Sequence, residues 1–506
     1  MEGEDNMFKA ASVQFKMIAL DLEYNLKTSE KYIREAAKKG AQLILLPETS
    51  NLGSLCTTRE KILPYAETIN GRTNQFYTNL CQELNVYIGF GMIELDHETN
   101  LIYNTLVLRG RKGELIGTYR KTHLFSTETN FLVPGNMGFP VFETEFGRIG
   151  MLICEDTVHF ETSRLLALKG MDILLMSTCW VDNGPDVTWR TRCAENGIYM
   201  IVSDWWNTNP EGVDYGGGSC IINPQGQLVD VLGMGDGYVI ADIDIGQIKR
   251  DEILKGRQIS KYYYLLQDSY LWGVDGLKLP QPNITAVCVI SYLTNNVTEY
   301  ITQLTKKLYA CEEKPDLIIL PSVAIENCDE LIKQVQKVIP DNMENSFFVL
   351  GCGKNTFLLN KKEVLKQYHS IHCLHDLTEE PCSSEFDTID TPYGRLGLLS
   401  ADDLFYPESV RCLGRKGADI ICVSGNYDRE KEFILEERRL YSDVAIAASL
   451  KDESEAYSFL GSPYCLESTK EPSVLEGEID TGNFYIREKI DLRKARLDLY
   501  ENLVTK

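Results

Sequence analysis

Three short motifs in the first third of the chain each carry a reactive side chain at or just beyond the end of an apolar run. They are Leu46-Pro47-Glu48, Tyr119-Arg120-Lys121-Thr122-His123-Leu124 and Gly150-Met151-Leu152-Ile153-Cys154-Glu155-Asp156. A cysteine thiolate can attack an amide carbonyl or a nitrile carbon, but a free thiol ionises only near pH ~8.5 and needs a base beside it. Glu48 fits that base. A cation and a backbone N–H next to the nucleophile lower the energy of the developing oxyanion, so Lys121 and the amide of Glu155 fit the second role. Once an amine has left, the same carboxylate can activate water against the thioester.

These side chains must be positioned by strands. Ala10–Phe15 reads as a strand, Asn25–Lys39 has helical apolar spacing at Leu26, Tyr32, Ile33 and Ala36, and Leu43–Leu46 reads as a fully buried strand closed by Pro47. The order strand, helix, strand recurs at Val287–Ile290, Val297–Ala310 and Leu317–Leu320. Laid over 394–424 at a constant offset of 247, residues 147–177 give thirteen identities in thirty-one ungapped positions, which marks an internal repeat. Alternating strands and helices predict layered α/β domains. The expected organisation is a first copy over 7–275, a connector over 276–283 with Pro280 and Pro282, and a second copy over 284–506.

The order and spacing of the three motifs, with Phe131-Leu132-Val133-Pro134-Gly135 between the second and third, resemble the nitrilase (carbon-nitrogen hydrolase) superfamily over nearly all of residues 7–270. The resemblance implies an αββα sandwich in two tandem copies packed as an intramolecular pseudo-dimer, and a Glu-Lys-Cys triad of Glu48, Lys121 and Cys154. It also implies a second glutamate, Glu128, that orients Lys121 and the attacking water. Trp189 to Asn196 resembles the family's helix behind the site, with Arg192 and Glu195 structural. Trp180, Trp205 and Trp206 follow apolar runs, where aromatic residues either pack a core or line a pocket, and Trp180 and Trp205 are the expected substrate contacts together with Glu155.

In the second copy Ser322 stands at the place of Glu48, Ser370 at that of Lys121 and Ala401 at that of Cys154, so a non-catalytic scaffold is expected there. Ser400 is adjacent to the lost nucleophile position, but no base accompanies it. His369, His372, Cys373 and His375 are metal-ligand types on one extended segment, a poor frame for a tetrahedral site. No metal or other cofactor is expected.

Nitrilases typically place Trp-Glu after the nucleophile, whereas Cys154 is followed by Glu155-Asp156, which favours an amide or carbamoyl substrate. A nitrile hydrolase and a non-catalytic ligand-binding protein are the alternatives. A formal charge of −23 disfavours nucleic acid and anionic membrane surfaces as partners. The acidic start Glu2-Gly3-Glu4-Asp5 does not read as a signal peptide, and no run approaches ~18 apolar residues, so a cytoplasmic location is expected. Fifteen cysteines with irregular spacing read mostly as reduced core residues. A small amide-type substrate is the expected partner, with self-association open.

Overall fold

The computed structural model describes all residues except 1–6, 54–57, 182–183, 209–211, 267–282, 295, 312–313, 326, 373–383, 443, 464, 470–473, 482–495 and 506. The chain divides into two compact units, Met1–Leu254 and Lys255–Lys506. Residues 276–282 of the expected connector lie outside the described residues, as do Cys373 and His375.

In the first unit, apolar strands alternate with amphipathic helices as the hydrophobic periods require. The elements are β1 (Met7–Gln14), α1 (Leu22–Lys38), β2 (Leu43–Leu45), α2 (Arg59–Ile62), α3 (Arg72–Leu84), β3 (Tyr87–Leu95), β4 (Ile102–Arg109) and β5 (Leu115–Arg120). They continue with β6 (Val141–Thr144), β7 (Gly147–Ile153), α4 (Phe160–Leu168), β8 (Ile173–Ser177), α5 (Val187–Asn196) and β9 (Tyr199–Ser203). Last come β10 (Trp206–Thr208), β11 (Asp214–Gly216), β12 (Cys220–Ile222), β13 (Leu228–Val231) and β14 (Gly237–Asp244).

Two six-stranded sheets result, in the orders β14-β1-β2-β3-β4-β5 and β13-β12-β9-β8-β7-β6. Strand β1 starts three residues earlier than its apolar run because Met7 pairs with Asp244 on antiparallel β14. Successive strand residues face opposite sides, and β1 uses both. Ala11 and Val13 join Leu26, Ile33 and Ala36 of α1 and Tyr77 and Leu80 of α3 in one apolar layer. Ser12 faces the other sheet and its hydroxyl donates to the carbonyl of Val202 at 2.5 Å. Ser203 Oγ donates to Val13 O at 2.6 Å and Ser177 Oγ to Leu46 O at 2.8 Å, so hydroxyls satisfied by backbone carbonyls fasten the sheets face to face. This is an αββα sandwich.

The second unit repeats it. Its two six-stranded sheets run, in matching order, through 364–369, 355–359, 347–352, 317–319, 284–290 and 474–480, and through 388–391, 394–400, 420–426, 445–451, 456–462 and 465–469. The fastening hydroxyls recur as well: Ser424 Oγ donates to Leu320 O and Ser449 Oγ to Ile290 O, each at 2.7 Å.

Residues 255–266, expected with the first copy, belong to the second unit, and side chains no periodicity reveals explain it. Arg257 donates to Glu408 Oε1 at 2.9 Å and to Leu503 O at 2.7 Å, and Tyr262 OH lies 2.7 Å from His372 Nε2. Nine described cysteines form no disulfide. Cys328 and Cys352 depart from the reduced reading and form a disulfide, since a helix start and a strand end bring their Cα atoms to 5.9 Å.

Candidate active site

Glu48 follows β2 after Leu46-Pro47, Lys121 follows β5 directly, and Cys154 opens a tight turn at the end of β7. The sandwich brings all three together. Lys121 Nζ donates to Glu48 Oε1 at 2.9 Å and to Glu128 Oε2 at 2.8 Å, and all three side chains are buried. The sulfur of Cys154, the sulfur of Cys179 and a carboxylate oxygen of Glu48 lie within 4.8 Å of one another.

A buried charge survives only when it is paired and hydrogen-bonded, and each one here is. Burial opposes the charge of Lys121, but Glu128 and Glu48 outweigh it and hold the ammonium well above the ordinary lysine range. Burial pushes the Glu128 carboxyl up, against the lowering pull of Lys121. Asn104 Nδ2 donates to Glu48 Oε1 at 2.6 Å and to Glu128 Oε1 at 3.3 Å, and the amide of Cys179 donates to Glu48 Oε2 at 2.9 Å. Glu48 therefore has both oxygens held before any substrate arrives.

Cys154 has φ +48°, in the left-handed region that costs a non-glycine residue free energy. The turn after it is pinned from several sides. Thr157 Oγ1 donates to Cys154 O at 2.9 Å, and Arg192, paired with Glu195 at 2.6 Å, donates to Thr157 O at 2.8 Å and Val158 O at 3.0 Å. Asp156 joins this turn to the lysine loop. Its carboxylate accepts from Ile153 N at 3.2 Å, Tyr119 OH at 2.8 Å, Thr122 N at 3.2 Å and His123 N at 2.8 Å.

The expected substrate contacts divide. The indole of Trp205 donates to the backbone carbonyl of Glu48 at 2.7 Å and borders a cavity of about 470 Å³ whose walls include Lys16, Met17, Asn207 and Thr208. The ring of Trp180 packs edge-on against Trp189 at 5.5 Å, and Glu155 is buried beside Cys154. Trp206 donates its indole N–H to Asp236 at 2.7 Å.

Asn104, Cys179 and Asp204 escape a reading of motifs, and Asp156 appears there only as part of the third motif, with no role of its own. Asp204 ties Trp180 N at 2.9 Å and Trp205 N at 2.7 Å, and burial raises its carboxyl well above the carboxylate range. Only Asp156 left a signal, because Asp403 repeats it in the second copy.

Two described clusters combine metal-ligand types, Glu48-Cys154-Cys179 and Cys288-Cys311-Glu476. In the first, the Lys121 ammonium already occupies the carboxylate, which opposes a second cation.

The carbon-nitrogen hydrolase family matches residues 9–252 and 344–444. The chain belongs to that family. As a carbon-nitrogen hydrolase it is 34% identical over 266 residues to a nitrilase of Pyrococcus abyssi, covering 51% of this chain and all of that protein. It is 28% identical over 255 residues to the human omega-amidase NIT2, covering 48% of this chain and 90% of that one. A carbon-nitrogen hydrolase structure from Helicobacter pylori G27 superposes with a TM-score of 0.48 at 22% identity, covering 52% of this chain and 99% of that chain. Among the described residues of this hydrolase, no helix is long and apolar enough to cross a membrane.

The site positions of the second unit hold different chemistry. Ser370 Oγ lies 2.7 Å from Ser400 Oγ, and Ser400 Oγ donates to Asp403 Oδ2 at 2.7 Å. Asp403 also accepts from Tyr368 OH at 2.8 Å and from the ring of His372 at 2.8 Å, so the frame around the lost lysine survives without it. His372 places its other ring nitrogen against Tyr262 OH, and the hydroxyl of Ser400 is held by Asp403 rather than by an imidazole. A Cβ added to Gly425 would lie 2.7 Å from Cβ of Ala401, so main chain lies directly against the lost nucleophile position.

Proposed function

We propose that the chain hydrolyses a non-peptide carbon-nitrogen bond of an amide or carbamoyl compound through a thioester on Cys154. Glu48 takes the thiol proton as sulfur attacks the carbonyl carbon. The oxyanion is met by Lys121 and the amide of Glu155, and Glu48 returns the proton to the departing amine. Glu48 then takes a proton from water, hydroxide attacks the thioester, and the thiolate leaves with the acid product. Glu128 holds Lys121 and orients the water, and Trp205 supports Glu48 from below. The second unit serves as a non-catalytic scaffold.

The observation that carries this reading is the buried Lys121 ammonium between two carboxylates, with the Cys154 sulfur beside one of them on a left-handed turn. The relatives are named for nitriles and for ω-amides alike. Glu155-Asp156 after Cys154 supports the amide, whereas the 34% identity to a protein named nitrilase keeps nitrile hydrolysis as the second reading. The test is release of ammonia or amine from a panel of primary amides, N-substituted amides, carbamoyl amines and nitriles. Release from amides or carbamoyl compounds that disappears in Cys154→Ala is the expected result. Release that persists in that variant rejects the mechanism, and turnover of nitriles alone moves the assignment to the second reading.

A further inference from the structure

The mechanism above leaves one reactive group unused. Cys179 sits in the loop after β8, buried, with its sulfur within 4.8 Å of both the Cys154 sulfur and a Glu48 oxygen. Its backbone amide already holds Glu48, so the segment that carries the second thiol is fixed to the base. Each cysteine lies just beyond a strand end, and one sulfur on each side of the gap must move by no more than roughly 3 Å in total to reach the ~2 Å of a disulfide bond.

We propose that Cys154 and Cys179 form a peroxide-responsive pair in which an intramolecular disulfide reversibly blocks the nucleophile. The proposal rests on the assignment of Cys154 as that nucleophile. Glu48 takes the Cys154 thiol proton as the sulfur attacks one oxygen of hydrogen peroxide, the O–O bond breaks, and the released hydroxide takes that proton from Glu48 to become water. Cys154 is left as a sulfenic acid. Cys179 then attacks the sulfenyl sulfur, its proton passing through Glu48 to the departing hydroxide, so the S–S bond forms with a second water. The two thiols have lost two electrons and the peroxide has gained them. A dithiol reverses the reaction by exchange.

Three observations support this order of events. Glu48, whose carboxylate lies beside the Cys154 sulfur, is itself paired with the Lys121 ammonium, so a base and a cation both stand near the thiol that reacts first. Cys154 retains slight exposure, so a molecule as small as peroxide can reach it. The hydrogen bond to Cys154 and burial keep the Cys179 thiol protonated, which makes it the resolving partner rather than the first target. The second copy is a natural control: at the same offset Ala401 and Asn426 stand where Cys154 and Cys179 do, so both thiols are gone together.

Trypsin separates the pair, because Cys154 lies alone in peptide 149–164 and Cys179 alone in peptide 170–190. The full-length protein is treated with hydrogen peroxide, alkylated and mapped by mass with and without dithiothreitol, beside Cys179→Ala and Cys154→Ala. The expected result is a linked 149–164/170–190 pair in the wild type, a loss of activity of more than about tenfold, and return of both with dithiothreitol. In Cys179→Ala the same treatment carries Cys154 on to sulfinic acid, which dithiothreitol does not reverse. In Cys154→Ala, Cys179 stays a free thiol. Peroxide-treated wild type with Cys154 as sulfinic acid and Cys179 unmodified overturns the proposal, as does oxidation of Cys179 in Cys154→Ala. The peptide map decides between these outcomes even if no substrate is turned over, so failure of the hydrolase assignment and failure of the thiol pair are separately visible.

Discussion

The two copies keep the same frame and differ in what they load onto it. At the turn after the strand Gly147–Ile153, the first copy holds Cys154 at φ +48°. At the matching turn of the second copy Ala401 has φ −63° and ψ −35°, ordinary right-handed helical geometry. All positive-φ residues other than glycine, among the described residues, belong to the first unit, and they include Thr49 directly after Glu48. The strained backbone and the buried Glu-Lys-Glu cluster have gone together, while Asp156 and Asp403, the bracing arginines and the sheet-fastening serines persist in both copies. Arg438 of the second copy donates to Leu404 O and Phe405 O at 3.2 Å each, as Arg192 does to Thr157 and Val158. The shared features are those that folding needs. On the proposed function the unshared ones belong to catalysis, where strain and unusual burial collect.

The largest expected contrast is at the nucleophile. Cys154→Ala should lower kcat by at least about 10³-fold, because no other group can form the thioester. Ala401→Cys should leave the rate unchanged, since neither Glu nor Lys faces it. An Ala401→Cys protein that hydrolyses the substrate after Cys154→Ala would break the contrast.

The oxyanion position should separate the copies by stability as well. Lys121→Ala strands two buried carboxylates and should cost about 3–5 kcal/mol in denaturant unfolding, with a fall in kcat of about 10²–10³-fold. Ser370→Ala removes one neutral hydroxyl and should cost about 1 kcal/mol. The sign of the pH dependence follows from the raised Lys121 value: its pairing contributes fully below the ordinary lysine value near 10.5 and is lost as pH rises through the higher folded value. The stability gap between wild type and Lys121→Ala should therefore not close between about pH 7.5 and 10. A gap that closes within that range would contradict the doubly paired ammonium.

The smallest contrast is in the backbone. Glycine tolerates positive φ, so Cys154→Gly should be about 1 kcal/mol more stable than Cys154→Ala, whereas Ala401→Gly should be less stable than wild type by a similar amount. Equal responses at the two positions would remove strain from the comparison.

Much of this was legible in the residues themselves. Leu43–Leu46 and Leu317–Leu320 read as buried strands, the 247-residue offset exposed the duplication, Glu48, Lys121 and Cys154 stood out by type and order, and Glu128 came only with the family resemblance. What stayed hidden depends on approach in space. Asn104 lies mid-strand with no motif around it, yet its amide holds both glutamates. Cys179 read as one buried cysteine among fifteen until the sandwich set it against Cys154. The assignment of 255–266 to the second unit rests on Arg257 and Tyr262, whose partners are more than a hundred residues away in sequence. Trp180 shows another limit, since an aromatic after an apolar run does not announce the second indole, Trp189, that packs against it.

The most direct test of the central claim is to quench the full-length protein with acid during turnover of its best amide and map the acyl group by mass. An acyl mass on peptide 149–164, absent in Cys154→Ala, is the predicted result. An acyl mass on any peptide of the second copy, or undiminished turnover in Cys154→Ala with no acyl group on 149–164, would contradict the division of labour between the two copies.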